Sequence, residues 1–325
     1  MRKVVVTGGC GFIGSAFVRL FHEKYDILIV DKFTYAADPI RIEGCKHSIW
    51  KEDIAKENWH DELVRWKPDV IVNFAAESHV DRSIHSDQVF LDANTGGTLN
   101  LLRYCNVMGC RMVQVSTDEV YGSIREGAFF EHDRFNPRNP YSASKAAAEH
   151  FCNAYYATHK IDVVGTRGAN TYGPWQYAEK LIPVALKKLY DGGKVPVYGI
   201  GAQIRDWLYV DDHAKAIEHV MLHGKAGEFY NVPGTKELQN IDLVKSLIQT
   251  CKARGWDIDV DNSIEFVADR KGHDFRYSMN GGKIHSIGFF KTTMFEDGLN
   301  ATVDHYKRVF DKQKCLRGVS NGNNT

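Results

Sequence analysis

The segment KVVVTGGCGFIGS (3–15) restricts the fold more than any other stretch of this chain. A β-branched apolar run ends directly in glycines, and a helix-like apolar segment follows without a linker. Gly8, Gly11 and Gly14 give G-x-x-G-x-x-G, while Gly9, Gly11 and Gly14 also satisfy G-x-G-x-x-G. Glycines at these places let the backbone turn tightly and approach a pyrophosphate, whose charge then sits at a helix N-terminus. A glycine loop alone is also compatible with a plain flexible turn, so its flanks decide. Asp31 closes the run DILIVD (26–31), 23 positions beyond Gly8. A carboxylate there can bind a ribose 2′-hydroxyl and repels a 2′-phosphate, which favours NAD over NADP. Lys32 follows directly and softens that preference. Asp53 and Ile54, after a third pattern, suit the adenine edge or an ordinary turn.

Further strand-like runs are DVIVNFAA (69–76), RMVQVST (111–117) and DVVGTRG (162–168). Helix-like segments separate them: GSAFVRLFHEKY, NWHDELVRWK, GGTLNLLRYCNVMG and YSASKAAAEHFCNAYYATHK. Continuous apolar strands alternating with helices predict a doubly wound α/β fold, a parallel sheet with its ligand cleft at the carboxyl ends of the strands. Beyond about residue 172, Pro174, Pro183, Pro196 and Pro233 punctuate shorter elements. The expected organisation is an NAD-binding domain over 1–172 and a smaller substrate lobe over 173–312. IRDWLYVDDHAKAIEHVMLH is expected to return a strand and helix to the first domain, and the polar tail 313–325 to be disordered.

Lys+Arg and Asp+Glu are equal at 41 each, so no global field favours nucleic acid or an anionic membrane. Seven scattered cysteines without a Cys-x-x-Cys pair indicate free thiols, with neither a metal site nor a disulfide framework. MRKVVV leaves no room for a signal peptide, and no apolar stretch approaches a membrane span. The expectation is a soluble, cytoplasmic protein.

RMVQVSTDEVYG (111–122) places Asp118 and Glu119 side by side where a buried strand ends. Charge taken out of water is costly unless paired, so such a pair needs a reason; a cap or turn is the plain alternative. In NPYSASKAAAEHF, Asn139 is a candidate N-cap and Pro140 stands at the first helical position. Tyr141 and Lys145 are then one turn apart on one helix face. A phenol used as a base near neutral pH needs its anion stabilised, and a Lys ammonium one turn away together with a positive nicotinamide ring suits that need.

TGGCGFIGS, DKFTYA, AAESHVDRSI, STDEVYG, NPYSASKAAAEH, NTYGPWQYAEKLIP, IRDWLYVDD, YNVPG and DRKGHDFRY together resemble an extended short-chain dehydrogenase/reductase. Within that family they resemble the nucleotide-sugar 4,6-dehydratases of the dTDP-glucose type. The resemblance implies that Tyr141 takes the sugar C4 hydroxyl proton while hydride leaves C4 for NAD, with Lys145 beside it and Thr117 orienting the hydroxyl. It implies Glu119 as the base at C5 and protonated Asp118 as the acid at the departing C6 hydroxyl, with hydride then returning to C6. Close like charges in a poorly hydrated site divide in this way, one carboxyl charged and one neutral.

By the same resemblance Gly8, Gly11, Phe12, Ile13, Gly14, Asp31, Lys32, Phe33, Thr34, Asp53, Ile54, Ala75, Ala76 and Glu77 hold the cofactor, with Thr171 on the nicotinamide side. Ser78, His79 and Asn170 meet the sugar. Lys180, Leu181, Pro196, Val197 and Tyr198 approach the nucleotide, Arg205 and Arg270 the pyrophosphate, and Asn240, His273 and Asp274 complete the pocket. Arg205 beside Asp206 also fits a local salt bridge, and His79 and His273 also fit structural histidines. Relatives usually carry a hydroxyl residue where this chain has Ala93, and Pro-Glu-Lys where it has Ala178-Glu179-Lys180. The short stretch between STDEVYG and YSASK resembles eukaryotic-style enzymes, some of which use UDP-glucose, whereas RKGHD sides with the dTDP type. The resemblance further implies a homodimer packed through the helices near 96–108 and 141–158. A 4-epimerase or decarboxylase of the same family is the alternative within enzymes, and a non-catalytic NAD-binding sensor the alternative outside them.

Overall fold

The computed structural model of the chain describes residues 1–56, 60–269 and 274–322. In chain order the first elements are β1 (Lys3–Thr7), α1 (Phe12–Phe21), β2 (Asp26–Val30), β3 (Ser48–Trp50), α2 (His60–Trp66) and β4 (Val70–Asn73). There follow α3 (Val80–His85), α4 (Asp87–Phe90), a π-helical turn (Leu91–Gly96), α5 (Gly97–Met108), β5 (Arg111–Thr117), a 3-10 turn (Asp118–Tyr121), α6 (Pro140–His159) and β6 (Val163–Gly168). The second half contains β7 (Asn170–Tyr172), α7 (Leu181–Tyr190), β8 (Val195–Tyr198), β9 (Ile204–Tyr209), α8 (Val210–His223), β10 (Phe229–Val232) and β11 (Lys236–Gln239). It closes with α9 (Asn240–Ala253), β12 (Ile264–Val267), α10 (Gly282–Ser286) and α11 (Phe295–Gly322).

Seven strands form one parallel sheet in the order β10-β6-β5-β4-β1-β2-β3. Both faces are covered, which is why its strands read as unbroken apolar runs. Val4 and Val6 of β1 and Ile27 and Ile29 of β2 pack with Phe17 of α1 and Ile217 of α8. Val5, Leu28 and Val30 point the other way, into a core with Leu101 and Leu102 of α5 and Cys152 of α6. Strand order reverses at β1, between β2 and β4, so a crevice opens beyond the carboxyl ends of β1 and β4. Across these ends runs a buried polar ladder. Thr7 Oγ1 donates to Asn73 Oδ1 at 2.6 Å, and Asn73 Nδ2 donates to Gln114 Oε1 at 2.9 Å.

A third core, around Ile182, Leu186, Trp207, Leu247 and Leu299, belongs to a smaller lobe built on α7, α9 and α11. There β11-β9-β7 form a three-stranded sheet and β12-β8 a pair. The return to the large sheet differs from expectation in one respect. Helix α8 does come back, packing on α1 and on β5 and β6, but β9 stays in the lobe sheet, and β10 is the strand that joins β6. Helix α11 runs on to Gly322, and residues 323–325 of the tail lie outside the described residues. Extending an existing helix adds one bond per residue and needs no new nucleus, so a packed helix can carry a polar end.

Candidate active site

Four strand ends converge on one cleft. Strand β1 delivers the glycine loop, β4 delivers Ala75–Ser78, β5 delivers Thr117–Glu119, and β6 leads into Asn170 and Thr171. The loop is built for close approach. Gly8 sits at φ +66° with Ala75 N 2.7 Å from where a Cβ would lie, and a Cβ on Gly14 would meet Gly8 O at 2.4 Å. Helix α1 then begins at Phe12, with Gly11 as an N-cap that offers no side-chain bond, so its first N–H groups are left uncapped at the cleft. Asp31 is buried and bonds backbone on both sides, Oδ2 accepting from Cys10 N at 3.0 Å and Oδ1 from Phe33 N at 2.8 Å. It thereby ties the glycine loop to the end of β2. Lys32 Nζ lies 3.3 Å from Asp53 Oδ2, so the cation beside Asp31 is engaged by a carboxylate. These features fit a dinucleotide.

At the end of β5 the chain turns at once into a 3-10 turn capped by Thr117, whose Oγ1 accepts from Glu119 N at 3.2 Å. The same oxygen is 3.0 Å from Asp118 Oδ1. Asp118 is 4% exposed, and its carboxyl is pushed up to about 8, first by burial and then by the charge of Glu119. It is therefore a neutral acid near pH 7. Glu119 is only half-buried and takes a hydrogen bond from Asn139 Nδ2 at 3.2 Å. Two adjacent carboxyls thus receive different environments, which is how one can donate a proton while the other accepts one.

Asn139 caps α6 through a capping box with Ser142, and Pro140 follows it as the spacing predicts. Lys145 is buried and its Nζ donates to Val115 O at 2.6 Å. Burial pushes it down to about 8, opposed by the carboxylate of Glu149 one turn further on. Glu149 is itself fully buried, taking hydrogen bonds from Ser116 Oγ and from Arg167 Nε at 2.9 Å. The Tyr141 phenol is held above its ordinary range by burial and by Glu119, and a hydrogen bond with Thr117 draws it back. Thr117 emerges as the hub, touching Asp118, Glu119 and Tyr141.

A family model described as GDP-mannose 4,6 dehydratase matches residues 5–302. The chain belongs to that family. A dTDP-glucose 4,6-dehydratase from Streptomyces niveus is 43% identical over 319 residues, covering 94% of this chain and 93% of that protein. A crystal structure of a dTDP-glucose 4,6-dehydratase from Streptomyces venezuelae, with NAD and a second ligand bound, is similar at a TM-score of 0.89 and 42% identity. The match covers 95% of this chain and 97% of that one. The UDP-glucose 4-epimerase of Thermotoga maritima reaches a TM-score of 0.87 at 23% identity, over 95% of this chain and 99% of that one, and so shares the fold alone. The fold therefore does not select the reaction; the side chains at the strand ends do.

The cleft of this family member is lined by Gly8, Gly11, Phe12, Ile13, Gly14, Asp31, Lys32, Thr34, Asp53, Ile54, Ala75, Ala76, Glu77, Ser78, Thr117, Asp118, Glu119, Tyr141, Lys145, Asn170, Thr171 and Lys180. Ala93 lines it too, presented by the π-helical turn. Neighbouring Asn94 clamps the Glu77 backbone at 2.9 and 3.0 Å. Other expected residues stand outside the cleft lining. Phe33, at φ +57°, packs against the core that contains Phe17. His79 caps α3, Nδ1 accepting from Arg82 N at 3.3 Å, while its Nε2 lies 3.7 Å from Glu179 Oε2. Leu181 opens α7, and Pro196, Val197 and Tyr198 lie on β8. The Val197 side chain belongs to the lobe core, so only its backbone is available to a ligand. Asn240 begins α9 with Oδ1 buried and unpaired by hydrogen bonds.

Arg205 does not pair with Asp206 in a local salt bridge, because neighbours on a strand face opposite ways. Its guanidinium binds the carbonyls of Ile204 at 2.7 Å and Asp274 at 3.0 Å and lies 4.4 Å over the Tyr277 ring. Asp274 accepts from Tyr277 Oη at 2.7 Å and pairs with Arg138 at 3.4 Å. Arg270 and His273 lie outside the described residues. Reading the sequence missed His213, whose Nδ1 is 2.8 Å from Thr171 Oγ1, and Tyr277. Neither carries a local pattern that announces it; both arrive at the site only through the packing of α8 and of the lobe.

Proposed function

We propose that this chain is a dTDP-glucose 4,6-dehydratase that uses NAD and returns it unchanged after each turnover. The observation that carries the reading is the unequal carboxyl pair, neutral Asp118 beside Glu119, in one cleft with Tyr141, Lys145 and the glycine loop. When bound, NAD supplies the hydride acceptor for C4, the hydride donor for C6 and a positive ring favouring the Tyr141 phenolate. Tyr141 accepts the C4 hydroxyl proton, steered by Thr117. The resulting ketone acidifies the C5 hydrogen, which Glu119 removes. Asp118 gives its proton to the C6 hydroxyl, which leaves as water, and Glu119 later returns its proton to C5. One proton then rests on Tyr141 and one is missing from Asp118; Thr117, in contact with both, offers the route that resets them.

An epimerase needs the Thr, Tyr and Lys groups but has no use for an acid held neutral next to a base, and the 43% identical relative is a dehydratase. UDP-glucose is not needed to explain any feature. The test is incubation of the purified protein with equal dTDP-glucose and UDP-glucose, following products by mass. Loss of one water, chiefly from dTDP-glucose and without net NADH, is expected; an unchanged mass with inverted C4 identifies an epimerase. Val107 on α5 and Phe151 on α6 are exposed apolar side chains on the two helices expected at a dimer interface. The reading accordingly includes a cytoplasmic homodimer, and a monomer by light scattering at micromolar concentration would exclude that assembly. Among the described residues no helix is long and apolar enough to cross a membrane.

A further inference from the structure

We infer that Asn139 is a positioning residue for the C5 base, a single amide that caps α6 with one end and holds the Glu119 carboxylate with the other. The inference rests on the reading of Glu119 as that base. Ser142 N donates to Asn139 Oδ1 at 2.8 Å. A backbone N–H can only donate, so the carbonyl end of the amide must face the helix. The amino end is then directed the other way, where Nδ2 donates to Glu119 Oε2 at 3.2 Å. The backbone is fixed as well: Asn139 is extended at φ −144°, ψ 162°, as the following Pro140 demands.

The choice of residue carries the argument. Asn, Asp and Ser cap helices about equally well, so capping alone does not call for Asn. Only Asn combines a capping acceptor with a donor for an anion on its far side; Asp would set a further carboxylate against Glu119, which Asp118, Tyr141 and Tyr277 already face. Tyr141 stands two residues along the same helix start. One side chain therefore mounts the group acting at C5 on the element that carries the group acting at C4, and the two proton transfers at adjacent carbons keep a common geometry.

The test compares Asn139→Ser, which keeps a capping oxygen but has no amide to reach Glu119, with Asn139→Asp, which keeps the cap and reverses the interaction. Three quantities are read with dTDP-glucose: circular dichroism, the rise of reduced-nicotinamide absorbance on rapid mixing, and solvent deuterium entering C5. Asn139→Ser is expected to lower turnover and C5 exchange together by roughly 10- to 100-fold, the usual worth of a hydrogen bond to a charged group. The absorbance rise, which reports C4 oxidation, should keep its wild-type rate, and Asn139→Asp should lower exchange further. Wild-type exchange in either folded variant, or C4 oxidation and C5 exchange falling in parallel, would overturn the inference. Glu119→Gln run alongside separates the two layers. If it retains C5 exchange, the base reading itself fails; if it loses exchange while both Asn139 variants keep it, only the role of Asn139 fails.

Discussion

Replacing Asp118 by Asn should stabilise the folded protein, and by an amount that grows with pH. The Asp118 carboxyl titrates at about 8 in the folded chain against an ordinary value of 3.8. Between those values the folded state keeps the proton and the unfolded state has released it. Raising the pH across this window therefore favours unfolding, by about 1.4 kcal/mol per unit. The whole window of 8 minus 3.8 corresponds to about 6 kcal/mol, and the part between about pH 5 and about pH 8 to roughly 4 kcal/mol. Below the window the group is neutral in both states and costs nothing; above it the penalty is constant. Asn cannot ionise, its Oδ1 keeps an acceptor at the position 3.0 Å from Thr117 Oγ1, and its amino group replaces the acid hydroxyl at Oδ2. Urea unfolding of both proteins at fixed ionic strength, in steps from about pH 5 to about pH 9, gives the difference curve directly. It should rise and then level off near pH 8, and with Glu119→Gln in both backgrounds the break should move down, because Glu119 is the second cause of the shift. A difference that stays flat across the range would mean that Asp118 ionises like an exposed carboxyl and cannot be the resident acid.

Gly14→Ala places a methyl 2.4 Å from the Gly8 carbonyl, a backbone atom that cannot yield cheaply. Calorimetric titration should detect no NAD binding, whereas wild-type affinity would show that the loop is not the cradle described. Glu149→Gln leaves the buried Arg167 guanidinium without its carboxylate, an arrangement that costs about 3–5 kcal/mol. A urea midpoint within error of wild type would contradict that account of the network behind Lys145.

How much of this could be read from the sequence follows from where the forces are local. The runs at 3–7, 26–31 and 111–117 were legible because a strand buried on both faces must be apolar throughout, and Val4 and Val5 indeed enter opposite cores. The cap at Asn139 and the Tyr141–Lys145 spacing were legible because helix starts and turns are set within a few residues. Strand β3 was not, since Ser48 and Ile49 are exposed and carry no burial pattern. Nothing in FYNV (229–232) or IRDWLY (204–209) tells which sheet each strand joins; that choice is made by distant partners. The second role of Asn139 was hidden for the same reason, because the direction of its amide is fixed only when Ser142 and Glu119 are both in place. Likewise the pair Asp118-Glu119 is symmetric on paper, and only unequal burial separates acid from base.

The central claim is that one cleft oxidises C4, eliminates water across C5 and C6, and sends the same hydride to C6. It is tested most directly with dTDP-glucose carrying deuterium at C4, converted in ordinary water and analysed by NMR. The account predicts a 4-keto-6-deoxy product with the label in its C6 methyl group, a solvent hydrogen at C5 and no released NADH. Label that remains at C4, or that leaves the protein in free reduced cofactor, would contradict it.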